Sequence, residues 1–468
     1  MYIDLLKKFL KFSIGNWINI IISLATTPIL TRIFIPSEYG KFSMYTLAIN
    51  LLLLISLVGT DQSYMRYYSR ENKKYLLRKC LSISVVSFVF ISIFILFFRY
   101  SFSQVLFDEY SSLTLILIII GLFSQIILKF QQTDIRMKQN ALIFSISNVL
   151  TKVVSVLLTI IAAFLISKTY HSLILAFVIS NLIVIIILRI LDKSKFSNKE
   201  FHEKVSYKEI FNYGIPYMFS LLAFWLFQSF DKMALKYLAD YNQVGIYAAT
   251  MKLVMIFNIL QNSFMNFWTP VALEKYREDN EANIFFNNMF LTVSFSFLVL
   301  GNLIIMFSDF ALILLGNDYG LSANVLPFLI FVPILYTISE TTVIGINFSK
   351  KTGYHLIIAL ISCLVNIALN SLFIPLYGAP GAAIATAIGY IVFFILRTVI
   401  SSKIYNVGYE INKFYIGLAT LSMYAAFATF NSLSLAHVAG GFICIGFTIF
   451  VYRSHVIKIL ITLKKGGL

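Results

Sequence analysis

Residues 170–190 read YHSLILAFVISNLIVIIILRI, and within them Ile183-Val-Ile-Ile-Ile-Leu188 is apolar on every side. A helix needs about 20 such residues to cross roughly 30 Å of hydrocarbon. A barrel strand would alternate in polarity, and neither this run nor Leu51-Leu-Leu-Leu-Ile55 does so. Outward from this segment, comparable ones recur at 11–33, 39–60, 78–98, 112–132 and 141–166. Further along come 210–230, 243–268, 284–307, 323–348, 354–376, 380–402, 412–431 and 434–453. The sequence therefore predicts an all-α polytopic membrane protein with about 14 transmembrane helices.

Composition points the same way. Of the 468 residues, 59% are hydrophobic and 12% charged, against roughly 45–50% and about 25% in water-soluble domains. No stretch is left for a separate soluble catalytic domain. The net charge of +16 does not indicate nucleic acid, because the basic residues come in short clusters between apolar segments. That placement orients a membrane protein and attracts anionic head groups. With the N-terminus inside, the outer side carries only Arg32, Lys41, Arg99, Lys168, Lys232 and Lys236, and Lys152 and Lys252 fall within spans. The other Lys and Arg are assigned to the inner side, so both termini are expected in the cytoplasm. Lys7, Lys8 and Lys11 precede an apolar stretch with no small-residue cleavage site, which reads as a retained first helix.

Catalytic signatures are scarce. Cys80, Cys363 and Cys444 stand singly, and the five histidines are scattered. Neither a disulfide framework nor a metal site is expected. The chain has no GxxxxGK[ST], HExxH or DxD motif, so neither a cofactor nor an enzyme activity is expected. No outer loop exceeds about 20 residues on these span lengths, which argues against a polysaccharide polymerase or ligase.

The polar stretch 192–208 divides six spans (1–191) from six more (209–404) and reads as a cytoplasmic linker. Two additional spans and a cytoplasmic tail occupy 405–468. Gln62-Ser-Tyr-Met-Arg-Tyr-Tyr68, ending the second span, matches Asn262-Ser-Phe-Met-Asn-Phe-Trp268, ending the eighth. Six is even, so the two halves would be parallel repeats about an axis along the membrane normal.

Polar residues recur at helical spacing inside several spans. The stripes include Asn16 and Asn19 in the first span, Asn148 and Lys152 in the fifth, Asn258 and Asn262 in the eighth, and Asn366 and Asn370 in the eleventh. They are either interhelical glue, worth about 0.6 kcal/mol per bond, or the wall of a hydrated cavity. A lysine near mid-span costs at least about 2.5–3.5 kcal/mol and calls for a partner or water. Lys152 and Lys252 thus either line a cavity or pair with a carboxylate, Glu340 or Asp231. Glu340, the one carboxylate well inside a span, is an ion-coupling candidate or half of a static ion pair. Asp231 is a second ion-coupling candidate, although its place near a span end also allows a solvated loop role.

Several stretches carry a family resemblance. They are Ser13-Ile-Gly-Asn-Trp17 with Pro28-Ile-Leu-Thr-Arg-Ile-Phe-Ile-Pro-Ser-Glu-Tyr-Gly40, Tyr213-Gly-Ile-Pro216 with Phe230-Asp-Lys232, Val244–Leu253, and Asn366–Thr386. In order and spacing the chain resembles bacterial polysaccharide (Wzx-like) flippases of the multidrug/oligosaccharidyl-lipid/polysaccharide exporter superfamily. The resemblance implies two six-helix bundles around a central cavity in the bacterial cytoplasmic (inner) membrane. It implies alternating access that moves an undecaprenyl-diphosphate-linked oligosaccharide to the outer leaflet for surface polysaccharide assembly. Membrane lipids, a polysaccharide polymerase and a chain-length regulator would be its partners. The family's seventh-span aspartate and eighth-span lysine fall on Asp231 and Lys252. A cation-coupled drug or small-molecule exporter of the same superfamily is the alternative; it would carry acidic residues in the N-terminal half, where this chain has Lys152.

Overall fold

The computed structural model describes residues 22, 25–192, 204–278, 282–309, 313–349, 351, 353–431 and 435–465. Among them regular structure is helical throughout, with no strand. Ten helices are long and apolar enough to cross a membrane by length and composition. Four of the fourteen expected spans fall outside that set for separate reasons. Most of 11–33 lies outside the described residues, leaving a helical stretch 25–33 (α1). The eighth is broken at Met255–Ile256, between Tyr241–Val254 (α10) and Phe257–Glu278 (α11). The thirteenth, Ile411–Phe430, is diluted by Thr, Ser and Tyr, and the last forms a helix of only 17 residues, Leu435–Val451.

Contacts divide the chain into two compact units, 1–229 and 230–468. The expected linker 192–208 lies mostly outside the described residues. Its end is ordered by a capping box: Ser206 N–H donates to Glu209 at 2.7 Å, and Glu209 N–H donates back to Ser206 Oγ at 3.2 Å. There begins Tyr207–Leu238 (α9), a helix of 32 residues.

In the first unit the spans are Pro36–Leu57 (α2), Lys73–Phe97 (α4), Ser112–Met137 (α6), Ala141–Leu165 (α7) and Tyr170–Leu191 (α8), with the short Arg99–Phe107 (α5) between α4 and α6. Side-chain acceptors start several of them: Asn72, Ser111 and Asn140 each take a backbone N–H of the first turn. The core gathers Tyr45, Tyr64, Ile118, Leu122, Ile126 and Ile174. The opposite faces are apolar too, with Phe97 and Leu165 both 79% exposed, as a lipid-facing surface requires. Because lipid is as apolar as leucine, association relies on packing and polar contacts. One such contact is the buried Thr60–Ser84 bond at 2.8 Å.

The second span ends in a left-handed break at Val58 and Gly59 before a short helix, Thr60–Tyr67 (α3). Gly59 has φ +69°, and a Cβ there would collide with the backbone of Gly214 on α9. This approach explains the glycine of Tyr213-Gly-Ile-Pro216.

The second unit repeats one feature internally. Its broken span places Asn262–Trp268 just after the Met255–Ile256 interruption, as Gln62–Tyr68 follows the one at Val58–Gly59. The aromatic pair four residues apart recurs as well. Tyr64 meets Tyr68 with ring centroids 5.4 Å apart, and Phe264 meets Trp268 at 5.9 Å. Around it lie Ala282–Met306 (α12), Ser322–Leu329 (α13), Phe331–Thr342 (α14), Ile344–Phe348 (α15), Gly353–Tyr377 (α16), Ala379–Ile404 (α17), Ile411–Phe430 (α18), Leu435–Val451 (α19) and Arg453–Lys465 (α20). The expected tenth span, 323–348, thus runs as the membrane-length stretch Ser322–Thr342, interrupted at Ile330, and then the short Ile344–Phe348. The α16–α17 hairpin turns at Gly378 (φ +64°) with Pro380 in the first turn of α17.

Candidate functional site

Asp231 does not lie at a solvated helix end. Helix α9 runs on to Leu238, so the carboxylate sits two turns inside it and is 3% exposed. Four neutral donors surround it. Oδ1 accepts from Asn366 Nδ2 at 3.0 Å and Asn370 Nδ2 at 2.7 Å, and Oδ2 accepts from the Tyr247 hydroxyl at 2.7 Å and Thr386 Oγ1 at 2.9 Å.

The elements explain the convergence. Asn366 and Asn370 are one turn apart on α16 and bond to each other at 2.9 Å. Tyr247 comes from α10, and Thr386 lies two turns into α17, just past the Gly378 turn. Among the described residues no Lys or Arg nitrogen lies within 4 Å of the carboxylate. Lys232 and Lys252 are half-buried, and Lys232 feels the charges of both Lys252 and Asp231. A buried carboxylate held only by neutral donors must be neutralised by a proton or an exchangeable cation, or bear its charge at high cost. Asn370 Oδ1 is also buried and has no hydrogen-bond partner, so the cluster keeps a further oxygen lone pair turned inward.

Glu340 is different. On α14, 8% exposed, it pairs with Arg397 Nη1 of α17 at 2.9 Å. The same nitrogen donates to Ser339 Oγ at 2.6 Å, and the guanidinium lies 5.3 Å and 5.1 Å from the Tyr336 and Phe393 ring centres. The partner of Glu340 is therefore neither Lys152 nor Lys252.

In the first unit, Lys152 is exposed and Asn148 half-buried, both on α7. Asn262 is exposed on α11. Asn16 and Asn19 lie outside the described residues, as does the side chain of Asn258. Of the residues expected from sequence, the structure thus brings together Asp231, Asn366 and Asn370, and Lys252 lies within electrostatic reach of Lys232. It adds Tyr247, Thr386 and Lys232, all within the stretches quoted for the family resemblance. Arg397 had a weaker signal: at 7 residues from the end of α17 it counts as a loop charge unless the helix is followed to Ile404.

Asp231, two amides and two hydroxyls thus form a buried polar cluster inside an apolar helical unit. Residues 5–273 match the model of the family described as polysaccharide biosynthesis protein. The chain belongs to that family. No curated protein matches the sequence. Among solved structures it is similar to the lipid II flippase MurJ in an inward closed conformation, with TM-score 0.68 and 17% identity over 95% of this chain and 99% of that one. An inward-facing multidrug resistance MATE family transporter of the MOP superfamily gives TM-score 0.60 and 14% identity over 83% and 94%. An outward-facing MATE transporter gives 0.56 and 16% over 86% and 96%. At these identities the likeness concerns the fold: a polytopic helical membrane fold of the kind seen in a flippase and in transporters.

Proposed function

We propose that this polysaccharide biosynthesis protein is a flippase that carries an undecaprenyl-diphosphate-linked oligosaccharide from the cytoplasmic to the outer leaflet by alternating access. It would sit in the bacterial inner membrane with both termini cytoplasmic, built as bundles 1–191 and 209–404 joined by 192–208, with 405–468 appended. The observation that carries the reading is the Asp231 cluster beside Lys232 and Lys252. A buried acid that can change its charge is a device for coupling transport to an ion, and neighbouring lysines suit an anionic diphosphate. Lys152, the asparagine stripes and Lys252 are the proposed substrate contacts. Asp231 takes the coupling role in preference to Glu340, whose charge is already matched by Arg397.

The test is reconstitution. Proteoliposomes loaded on one leaflet with a fluorescent undecaprenyl-diphosphate oligosaccharide should show gradient-dependent translocation, lost in Asp231→Asn. Gradient-driven export of cationic drugs with no movement of the lipid-linked glycan would overturn the reading in favour of an exporter.

A further inference from the structure

A groove of about 430 Å³ lies in the first unit where α4 passes the start of α9. It shares no residue with the Asp231 cluster or the polar stripes. Ser82, Val86 and Phe90 line it from α4, Tyr207 and Phe211 from α9, and Val58 from the α2–α3 break. Val86, Phe90 and Tyr207 are exposed, so the groove is open along its length. One lysine fixes its cytoplasmic end. Lys79 Nζ donates to Glu71 at 2.7 Å and to the Val205 carbonyl at 2.8 Å, which holds the first turns of α4 beside the residues entering α9.

Arg78, Ser82, Val86 and Phe90 follow one another at four-residue spacing, so Arg78 precedes the groove by one turn, about 6 Å along the same face of α4. Lys208 adjoins Tyr207 at the other wall. Lys74, Arg78, Lys204 and Lys208 are all exposed and make no ion pair among the described residues. Of the acids on the same two segments, Glu71 is matched by Lys79, which leaves Glu209 against these four cations. The groove is therefore apolar along the membrane and cationic where α4 and α9 leave it. A ligand that complements both parts has an acyl chain and a negative head group.

We propose that this groove is a binding site for an anionic glycerophospholipid of the phosphatidylglycerol type. One acyl chain covers Val86, Phe90 and Phe211, and the phosphate faces Arg78 and Lys208, with the amphipathic Tyr207 ring at head-group level. A zwitterionic lipid would bring its own ammonium among the four cations. A polyprenyl diphosphate would match the charge and not the groove, because the lining of α4 runs only from Ser82 to Ile91, about 14 Å of helix. That length suits one acyl chain and leaves most of a polyprenyl tail outside. The site is independent of the transport reading.

The test uses the full-length protein in nanodiscs of equimolar palmitoyl-oleoyl phosphatidylglycerol, phosphatidylethanolamine and phosphatidylcholine, with retained lipid counted by native mass spectrometry. One phosphatidylglycerol should be retained in preference to either competitor. Arg78→Gln and Lys208→Gln, both at exposed positions, should each lower that preference by about fivefold, the scale of one basic residue at an anionic surface. Val86→Trp, which fills the groove and leaves every charge in place, should lower phosphatidylglycerol retention as well. Arg136→Gln removes the same charge from the end of α6, outside the groove, and should change nothing. Equal retention of the three lipids, unchanged retention in Arg78→Gln or Val86→Trp, or a loss in Arg136→Gln as large as that in Arg78→Gln overturns the proposal. Preferential retention of undecaprenyl diphosphate, added as a competitor, would overturn it too.

Discussion

Glu340 and Arg397 face each other at 2.9 Å from helices α14 and α17, the acid 8% and the base 5% exposed. Trp268 anchors the same turn, donating Nε1–H to the Glu340 carbonyl at 3.0 Å. The ion pair ties α14 to α17, and the Trp268 bond to the Glu340 backbone adds α11.

Removing one partner strands the other. Glu340→Gln should destabilise the protein by about 3–5 kcal/mol, the scale for breaking a buried pair, read as a fall in detergent melting temperature and in membrane abundance. Adding Arg397→Met to the same chain should recover most of the loss. A single mutant as stable as the parent, with altered gradient dependence, would instead make Glu340 a transport group.

Asp231→Asn should fold. The new amide can keep its oxygen toward Asn366 and Asn370 and turn its NH₂ toward the Tyr247 and Thr386 hydroxyls, which can accept as well as donate. What disappears is the titratable, cation-binding charge. Gradient-driven translocation should fall by about tenfold or more while protein yield holds, because a buried membrane carboxylate is costly unless used. Intact coupling in this variant would remove Asp231 from the mechanism.

Gly59 tests the close approach of α9. Its left-handed φ of +69° costs a non-glycine residue about 1–2 kcal/mol, and a methyl group would also push into the Gly214 backbone. Gly59→Ala should therefore lose more than that amount in thermal unfolding. Gly353→Ala, where nothing lies within 4 Å, should be neutral.

Glu109 lies in the turn before α6. Partial burial pushes its carboxyl up, but hydrogen bonds from Lys41 and the Tyr170 hydroxyl, both at 2.8 Å, and the Lys41 charge outweigh it and hold the group below its ordinary value of 4.5. A depressed carboxylate stabilises the fold above its unfolded pKa, and that contribution is lost as pH falls through the lowered folded value. Melting temperature should thus decline on acidification from pH 5 toward pH 3, and Glu109→Gln should flatten that decline. An unchanged slope would show that the turn bears none of it.

The polytopic fold was legible because twenty-residue apolar runs such as Ile183–Leu188 and its flanks admit little else in lipid. The breaks were not. Val58–Gly59 carries one glycine as a hint, and Met255–Ile256 carries none, because apolar content measures partition into lipid and is blind to backbone direction. Asn366 and Asn370 were legible from their four-residue spacing, whereas Tyr247 and Thr386 become site residues only once three helices fold around Asp231. Arg397 was obscured by a charge count that rewards placing every arginine at a helix end.

Lys232 and Lys252 decide whether the cationic patch serves substrate. Lys232 feels the charge of Lys252 as well as that of Asp231. If the two lysines hold a diphosphate, Lys252→Ala should cut translocation per inserted molecule while the protein still inserts. Lys252→Arg should keep partial function, because the charge remains although the planar fork differs in shape. Lys232→Ala should behave as Lys252→Ala does, and the double variant should lose little more than either alone, as expected for residues acting on one ligand. The measurement is translocation normalised to membrane-inserted protein, beside the melting temperature of each variant. Full transport per molecule in both single alanine variants would leave the lysines without a substrate role.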